Sequence, residues 1–337
     1  MNKDYKISII VPIYNRPDEL DDLLHSIDMA RIPEGMSYEV VVIEDGSAIK
    51  SDAVCRRWEE KMDIKYFAKE NTGPGASRNY GMERANGDYF VIVDSDCLLP
   101  EDYFMTLNDI ISTPDAPDAI SGPDRAHHSF TDVQKAVNYA MTSFFTTGGL
   151  RGGKNNVCGT RQLRSYNMVI SRHAYDMSGG FSRQRVGEDI EYTHRLWAND
   201  LTTQWNESLY VYHKRRATLS DFYRQVYDFG RARPILNRMF PGTAKLTYMF
   251  PSLFVGFVAL SILTGAFAPI WFAPLWLYML IIFISSSYIN KDLTVGLTSV
   301  AAALIMLTGY GLGFIVTSCR LIYYNDVVKA FPYMFKH

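Results

Sequence analysis

Short β-branched runs alternate with amphipathic stretches through the first 125 residues. Ile7–Ile13 (ISIIVPI) is apolar on both faces and predicts a buried strand. Arg16–Ala30 sets Leu20, Leu23, Leu24 and Ile27 at helical spacing behind Pro17, a residue suited to a first helical turn. Tyr38–Ile43 predicts the next strand, Asp52–Lys61 a helix, Ile64–Phe67 a strand, Ala76–Ala85 a helix, and Tyr89–Val93 (YFVIV) a fourth buried strand. Strands that alternate with helices and are apolar on both faces imply a parallel sheet with right-handed crossovers. Such sheets bind ligands beyond the carboxyl ends of their strands. Attention therefore falls on Tyr14-Asn15, on Glu44-Asp45-Gly46-Ser47 and on Asp94-Ser95-Asp96.

From 126 to 213 the pattern is less regular. A glycine-rich loop (Gly148–Gly153) precedes a strand-like Gln162–Ile170, then Gly179-Gly180-Phe181, an acidic helix start at Glu188-Asp189, and a strand-like Leu209–Tyr212. Beyond this the chain changes character. Leu246–Asn290 runs for 45 residues without one Asp, Glu, Lys or Arg. A membrane's hydrocarbon core needs about 20 apolar residues per helix. Gly265–Pro269 divides the run into two spans near 247–266 and 270–289, and Leu293–Cys319 offers a third after Asn290-Lys291-Asp292. Three spans would place the C-terminus on the side opposite the N-terminal domain. Arg320, Lys329 and Lys336 weakly oppose that, and a re-entrant or interfacial last segment would remove the conflict.

Charge sharpens the boundary. Of 70 charged residues only six (Lys291, Asp292, Arg320, Asp326, Lys329 and Lys336) follow residue 245. The net charge of −2 gives no basic surface that would point to nucleic acid. Lys214–Arg238 carries seven Lys/Arg against Asp221 and Asp228, and predicts either a segment facing anionic headgroups or an ordinary solvated helix face. Cys55, Cys97, Cys158 and Cys319 form no C-x-x-C pair, so reduced thiols are expected. Ile7–Ile13 is broken by Pro12 and does not read as a secretory signal. A transporter is disfavoured, since the tail has few charges and no paired repeats.

The chemistry concentrates in carboxylates. Asp94 and Asp96, one residue apart at a strand exit, can both reach a hard cation that prefers oxygen ligands, although an isolated D-x-D is common in loops. Asp45 can accept hydrogen bonds from a base or ribose, or simply close a turn before Gly46. Glu188-Asp189 can serve acid–base chemistry or complement a helix dipole. Gly73-Pro74-Gly75-Ala76-Ser77-Arg78 fails as a dinucleotide fingerprint, because it follows the third strand and Arg78 replaces the last glycine.

Together VPIYNR (Val11–Arg16), EDGS (Glu44–Ser47), NTGPGASRNYG (Asn71–Gly81), Asp94–Asp96 with Leu99-Pro100, GGF (Gly179–Phe181) and GEDIEYTHRLW (Gly187–Trp197) resemble family 2 glycosyltransferases, in order and spacing, from Ile7 to about His213. The resemblance implies an α/β GT-A fold, a Rossmann-like, mostly parallel sheet flanked by helices, followed by C-terminal transmembrane helices. It implies a catalytic domain over 1–213, a basic amphipathic juxtamembrane segment over 214–245, and a membrane region over 246–337 with about three spans. Pro12, Tyr14 and Asp45 resemble positions around the nucleotide base. Arg78 and Asn79 resemble residues lining nucleotide and sugar. Asp94 resembles the carboxylate near the ribose or donor sugar and is counted with the metal set, in which Asp96 resembles the direct ligand of Mg²⁺ or Mn²⁺ and His213 the late histidine that completes it. Asp189 resembles the catalytic base, with Glu188 its acidic neighbour. The expected activity is inverting, metal-dependent transfer of one sugar from a nucleotide-sugar donor, UDP-sugars favoured, to a lipid-linked or surface-polysaccharide precursor. The expected setting is the cytoplasmic face of the inner membrane, with no nucleic acid partner. Single-sugar transfer is favoured because Q-x-x-R-W is missing from Arg224–Arg231. Ser182–Arg185 (SRQR) also departs from the acidic stretch frequent after GGF. The alternatives are a polyprenyl-phosphate glycosyltransferase and, outside catalysis, an inactive nucleotide-sugar sensor or scaffold.

Overall fold

In the computed structural model, which describes residues 4–127, 129–148, 161–265, 269–324 and 326–335, strand and helix alternate as the hydrophobic pattern demands. The first elements are β1 (Tyr5–Ile13), α1 (Pro17–Asp28), β2 (Met36–Asp45), α2 (Asp52–Trp58), β3 (Ile64–Lys69), α3 (Pro74–Met82) and β4 (Tyr89–Val93). Next come β5 (Cys97–Leu98), α4 (Tyr103–Ile111), β6 (Ala119–Ser121), β7 (Asp124–Arg125), α5 (Asp132–Thr142), α6 (Phe144–Thr147), β8 (Asn167–Ser171), α7 (Arg172–Ser178), α8 (Glu188–Ala198), β9 (Thr203–Trp205) and β10 (Val211–His213). Helices then take over: α9 (Leu219–Met239), α10 (Phe250–Gly265), α11 (Ala273–Asn290), α12 (Leu293–Tyr323) and the short α13 (Val327–Ala330). The expected glycine-rich loop at 148–153, apart from Gly148, and Cys158 lie outside the described residues.

One unit gathers the described residues within 1–125, 162–213 and 333–337. Its main sheet has the order β3-β2-β1-β4-β8-β6-β9. β1, β2, β3 and β4 pair in parallel, while β8 lies antiparallel between β4 and β6, so the sheet is mixed but mostly parallel. Because side chains alternate along a strand, β1 splits its apolar residues between two faces. Ile7, Ile9 and Val11 join α1 and α4 on one side, through Leu20, Leu23, Phe104 and Leu107. Ile10 joins Met82 of α3, Ala174 of α7 and Leu196 of α8 on the other. The result is a helix–sheet–helix sandwich of GT-A form. α3 starts at Pro74, two residues before the expected helix, because proline fits a first helical turn and Gly73, at φ +91°, makes the bend ahead of it.

A buried carboxylate ties the amino-terminal ends of these strands. Glu39 of β2 accepts hydrogen bonds from Ser8 Oγ (2.6 Å), the Asn86 amide (2.6 Å) and Lys65 Nζ (2.5 Å). Burial works to raise its pKa, yet these bonds hold the carboxyl below the ordinary value of 4.5.

The second unit combines the described residues within 126–161 and 214–332. Ala136, Val137, Ala140 and Met141 of α5 pack with Phe222 and Val226 of α9 and with Val295, Ala302, Met306 and Leu307 of α12. α9 and α12 approach closely: a Cβ on Gly230 would lie 2.1 Å from the Tyr310 carbonyl oxygen, so only glycine fits there. Three helical segments, Leu246–Gly265, Pro269–Asn290 and Leu293–Tyr323, are long and apolar enough to cross a membrane. The first two leave most of their side chains outward, whereas the third is substantially buried within the unit.

Candidate functional site

The carboxyl ends of the parallel strands carry the polar residues, as expected. Pro12 sits inside β1 opposite Ile43, where the missing N–H is tolerated, and Tyr14 just beyond the strand is 52% exposed. Asn15, at φ +56°, accepts the Ala48 and Ile49 amides at 2.7 and 3.0 Å and donates its own backbone N–H to Ser47 Oγ. The loop after β2 is thereby fastened to the end of β1. Asp45 is buried, and its carboxylate accepts the amides of Thr72 and Gly73, both at 2.9 Å, and Lys69 Nζ. Its oxygens shape the turn that leads into α3. Arg185, from the SRQR stretch, donates to Asn71 Oδ1 at 3.3 Å and lies across Gly73.

An ion bridge spans the middle of the site. Arg78 of α3 is 3% exposed; Nη2 lies 2.7 Å from Asp94 Oδ1 and Nη1 2.7 Å from Glu188 Oε1. The guanidinium also sits 5.3 Å from the centre of the Phe181 ring. Burial and the neighbouring Asp189 push the Glu188 carboxyl up, to about 7, against the pull of Arg78. Asn79 meets the GGF element: its side-chain amide donates to the Phe181 carbonyl (2.8 Å) and accepts the Phe181 N–H (2.7 Å). A Cβ on Gly180 would come 2.1 Å from Asn79 Oδ1, which explains the second glycine of the GGF element. Asn79 thus pins the GGF turn to α3.

A small second sheet, β5-β10-β7, assembles the candidate metal centre. β10 pairs with β5 so that His213 stands opposite Cys97. His213 Nε2 lies 3.1 Å from Asp96 Oδ1, and its Nδ1 faces the buried Asp124 carboxylate at 3.7 Å. Arg16 Nη1 approaches Asp96 Oδ2 at 3.3 Å. Ligand atoms of Asp96, Cys97 and His213 all lie within 4.8 Å of one another. Cys97 Sγ lies 3.5 Å from the Tyr166 carbonyl oxygen, and as a soft sulfur it is the ligand type that Mg²⁺ and Mn²⁺ least prefer. Asp96 and His213 remain, an oxygen and an imidazole nitrogen that suit Mn²⁺ and, less well, the oxygen-preferring Mg²⁺. Asp94, two residues away, is turned toward Arg78.

Asp189 opens α8. Its Oδ1 accepts the Ile190 N–H at 2.8 Å, and its Oδ2 lies 3.6 Å from Arg164 Nη1. Its side chain stays 16% exposed, which leaves a carboxylate that solvent or a substrate hydroxyl can reach. Arg164, Asp124 and Arg16 were not singled out from the sequence. Their partners lie 25, 89 and 80 residues away in the chain, and single charged residues outside a periodic pattern carry no local signal.

The family model described as Glycosyl transferase family 2 matches residues 8–180. Glycosyltransferase GlyA of Streptococcus pneumoniae is 29% identical over 233 residues, 64% of this chain and 32% of GlyA. The poly(ribitol-phosphate) beta-N-acetylglucosaminyltransferase TarS of Staphylococcus aureus is 33% identical over 93 residues, 27% of this chain and 16% of TarS. The aligned regions thus span a third or less of these relatives' length. Among solved structures, the mannosyltransferase PcManGT from Pyrobaculum calidifontis, in complex with GDP-Man and Mn²⁺, superposes with a TM-score of 0.52 at 17% identity, over 98% of this chain and 83% of that one. At that identity the likeness is one of fold.

Proposed function

The chain belongs to glycosyl transferase family 2, and on that premise we propose that it moves one sugar from a nucleotide-sugar donor, with UDP-sugars favoured, to a hydroxyl of a lipid-linked or surface-polysaccharide precursor. The observation that carries the reading is the run of contacts from Asp94 through Arg78 to Glu188, which links the candidate metal centre at Asp96 and His213 to the reachable Asp189. The Mn²⁺ bound by PcManGT and the poly(ribitol-phosphate) acceptor in the name of TarS support the cofactor class and the acceptor class respectively. The three apolar helices support attachment to the cytoplasmic membrane, with the catalytic unit on its inner face, where nucleotide sugars are made.

When bound at Asp96 and His213, a divalent ion supplies positive charge against the leaving diphosphate. The residues of the chain supply the rest. Asp189 takes the proton of the acceptor hydroxyl as its oxygen bonds to the anomeric carbon, and the bond from that carbon to the diphosphate oxygen breaks on the opposite face. One displacement with no protein nucleophile inverts the anomeric centre. Arg78 fixes Asp94 on the donor side and Glu188 beside the base, so both sides of the reaction keep one geometry. Arg185 borders the turn that Asp45 shapes and, with the exposed Tyr14 beyond β1, forms the wall against the nucleotide.

Asp189→Asn keeps the shape and removes the base. Transfer is expected to fall by at least about a hundredfold, while UDP still binds in a titration with Mn²⁺. Turnover within about tenfold of the parent protein would mean that another group takes the proton. The same assay, run with a lipid-linked and a water-soluble acceptor, is expected to favour the lipid-linked one; equal rates would remove the acceptor assignment and leave the base assignment standing.

A further inference from the structure

Glu188 and Asp189 are neighbours in the chain, yet each meets a different arginine. Glu188 is buried and committed to Arg78. Asp189 meets Arg164, which arrives from the irregular segment before β8. The Arg164 backbone N–H donates to Ser121 Oγ at 3.1 Å, and Ser121 Oγ donates to the Asn167 carbonyl at 2.7 Å. The base of this arginine is thus fastened to both β6 and β8 of the main sheet. Its side chain is 13% exposed, and its Nη1 stops 3.6 Å from Asp189 Oδ2.

That separation is informative. It is close enough for a Coulombic attraction in a half-dry cleft and too long for a hydrogen bond. Oδ2 is held in place from one side and keeps its lone pairs for another donor, while Oδ1 is anchored by the Ile190 amide. A carboxylate restrained in this way meets an incoming hydroxyl without first reorienting.

We propose that Arg164 is a positioning residue for Asp189, aiming the Oδ2 atom at the acceptor hydroxyl without consuming its proton-accepting capacity. The proposal rests on Asp189 being the base. A base misplaced by about 1 Å costs on the order of a hundredfold in rate, whereas donor binding, which relies on other residues, is left alone.

The test uses the full chain in detergent, with transfer from a panel of UDP-hexoses and with UDP binding measured separately. Arg164→Gln is expected to lower kcat by about 10- to 100-fold and to change donor KM and UDP affinity by less than about threefold. Arg164→Lys, which retains the charge, is expected to recover kcat to within about fivefold of the parent. A kcat within about twofold for Arg164→Gln, or a loss explained by raised donor KM, overturns the proposal. A second readout needs no turnover: in thermal unfolding, the shift of the Arg164→Gln/Asp189→Asn double variant is expected to be smaller than the two single shifts combined, and strictly additive shifts overturn the pairing. Failure of the base reading shows separately, as persistent turnover in Asp189→Asn.

Discussion

Arg78 concentrates more of the site's electrostatics than any other side chain described above. It is buried, it bridges Asp94 and Glu188, and against burial these two carboxylates hold its pKa above the ordinary value. Removing one member of a buried ion network leaves charge without compensation, which typically costs about 3–5 kcal/mol. Arg78→Met is therefore expected to lower the unfolding midpoint of the solubilised protein and to weaken Mn²⁺-dependent UDP binding together. Arg78→Lys is expected to repair only part of either, because a single ammonium cannot serve two carboxylates with a planar fork. Unfolding curves and UDP titrations on the same preparations check both. At this scale Asp45, Asp94, Asp96, Glu188 and Asp189 stand out in the sequence, since a strand exit or a helix start marks each of them. Asp124, Arg16 and Arg164 do not. Arg78, expected to line nucleotide and sugar, also bridges Asp94 and Glu188, and Asn79, expected beside it, also clamps Phe181.

Elements set the next level. The strands of the parallel core were readable from apolar runs, and their amino-terminal ends are joined by Glu39. Its carboxyl is depressed, so the folded state takes up fewer protons than the unfolded chain in the acid range. The stability it contributes is present above the ordinary carboxylate value of 4.5 and is lost as pH falls through the lower value in the folded protein. Unfolding measured from pH 7 downward is expected to show a steep acid limb, and Glu39→Gln is expected to flatten that limb while lowering stability at neutral pH. An unchanged limb would assign the acid sensitivity to other carboxylates. Of the sheet β5-β10-β7, the sequence marks only β10, through the strand-like Leu209–Tyr212; β5 and β7, at two residues each, are too short to show any alternation. Yet that sheet carries His213 to Asp96.

Across the whole molecule, the division of the chain is not a single cut. The apolar face of α5, which lies within the stretch matched by the family model, packs with α9 and α12. A chain ended at Lys245 would lose Val295, Ala302, Met306 and Leu307, and with them part of the cover over Ala136, Val137, Ala140 and Phe222. Such a chain is expected to aggregate or to require detergent, despite lacking all three apolar helices. Size-exclusion chromatography without detergent checks this, and a stable soluble monomer would count against it.

Hydrophobic periodicity, charge distribution and the spacing of acidic residues are local properties, and by themselves they determined the α/β layering, the apolar tail and the motifs of the family. Which carboxylate meets which arginine, how a histidine reaches Asp96, and which helix covers α5 were decided only in the tertiary structure. Those pairings join residues tens to more than a hundred positions apart, and burial rather than sequence spacing chooses among the partners. The near-neutral tail was visible from the start; that α5, far upstream of it, folds with it was not.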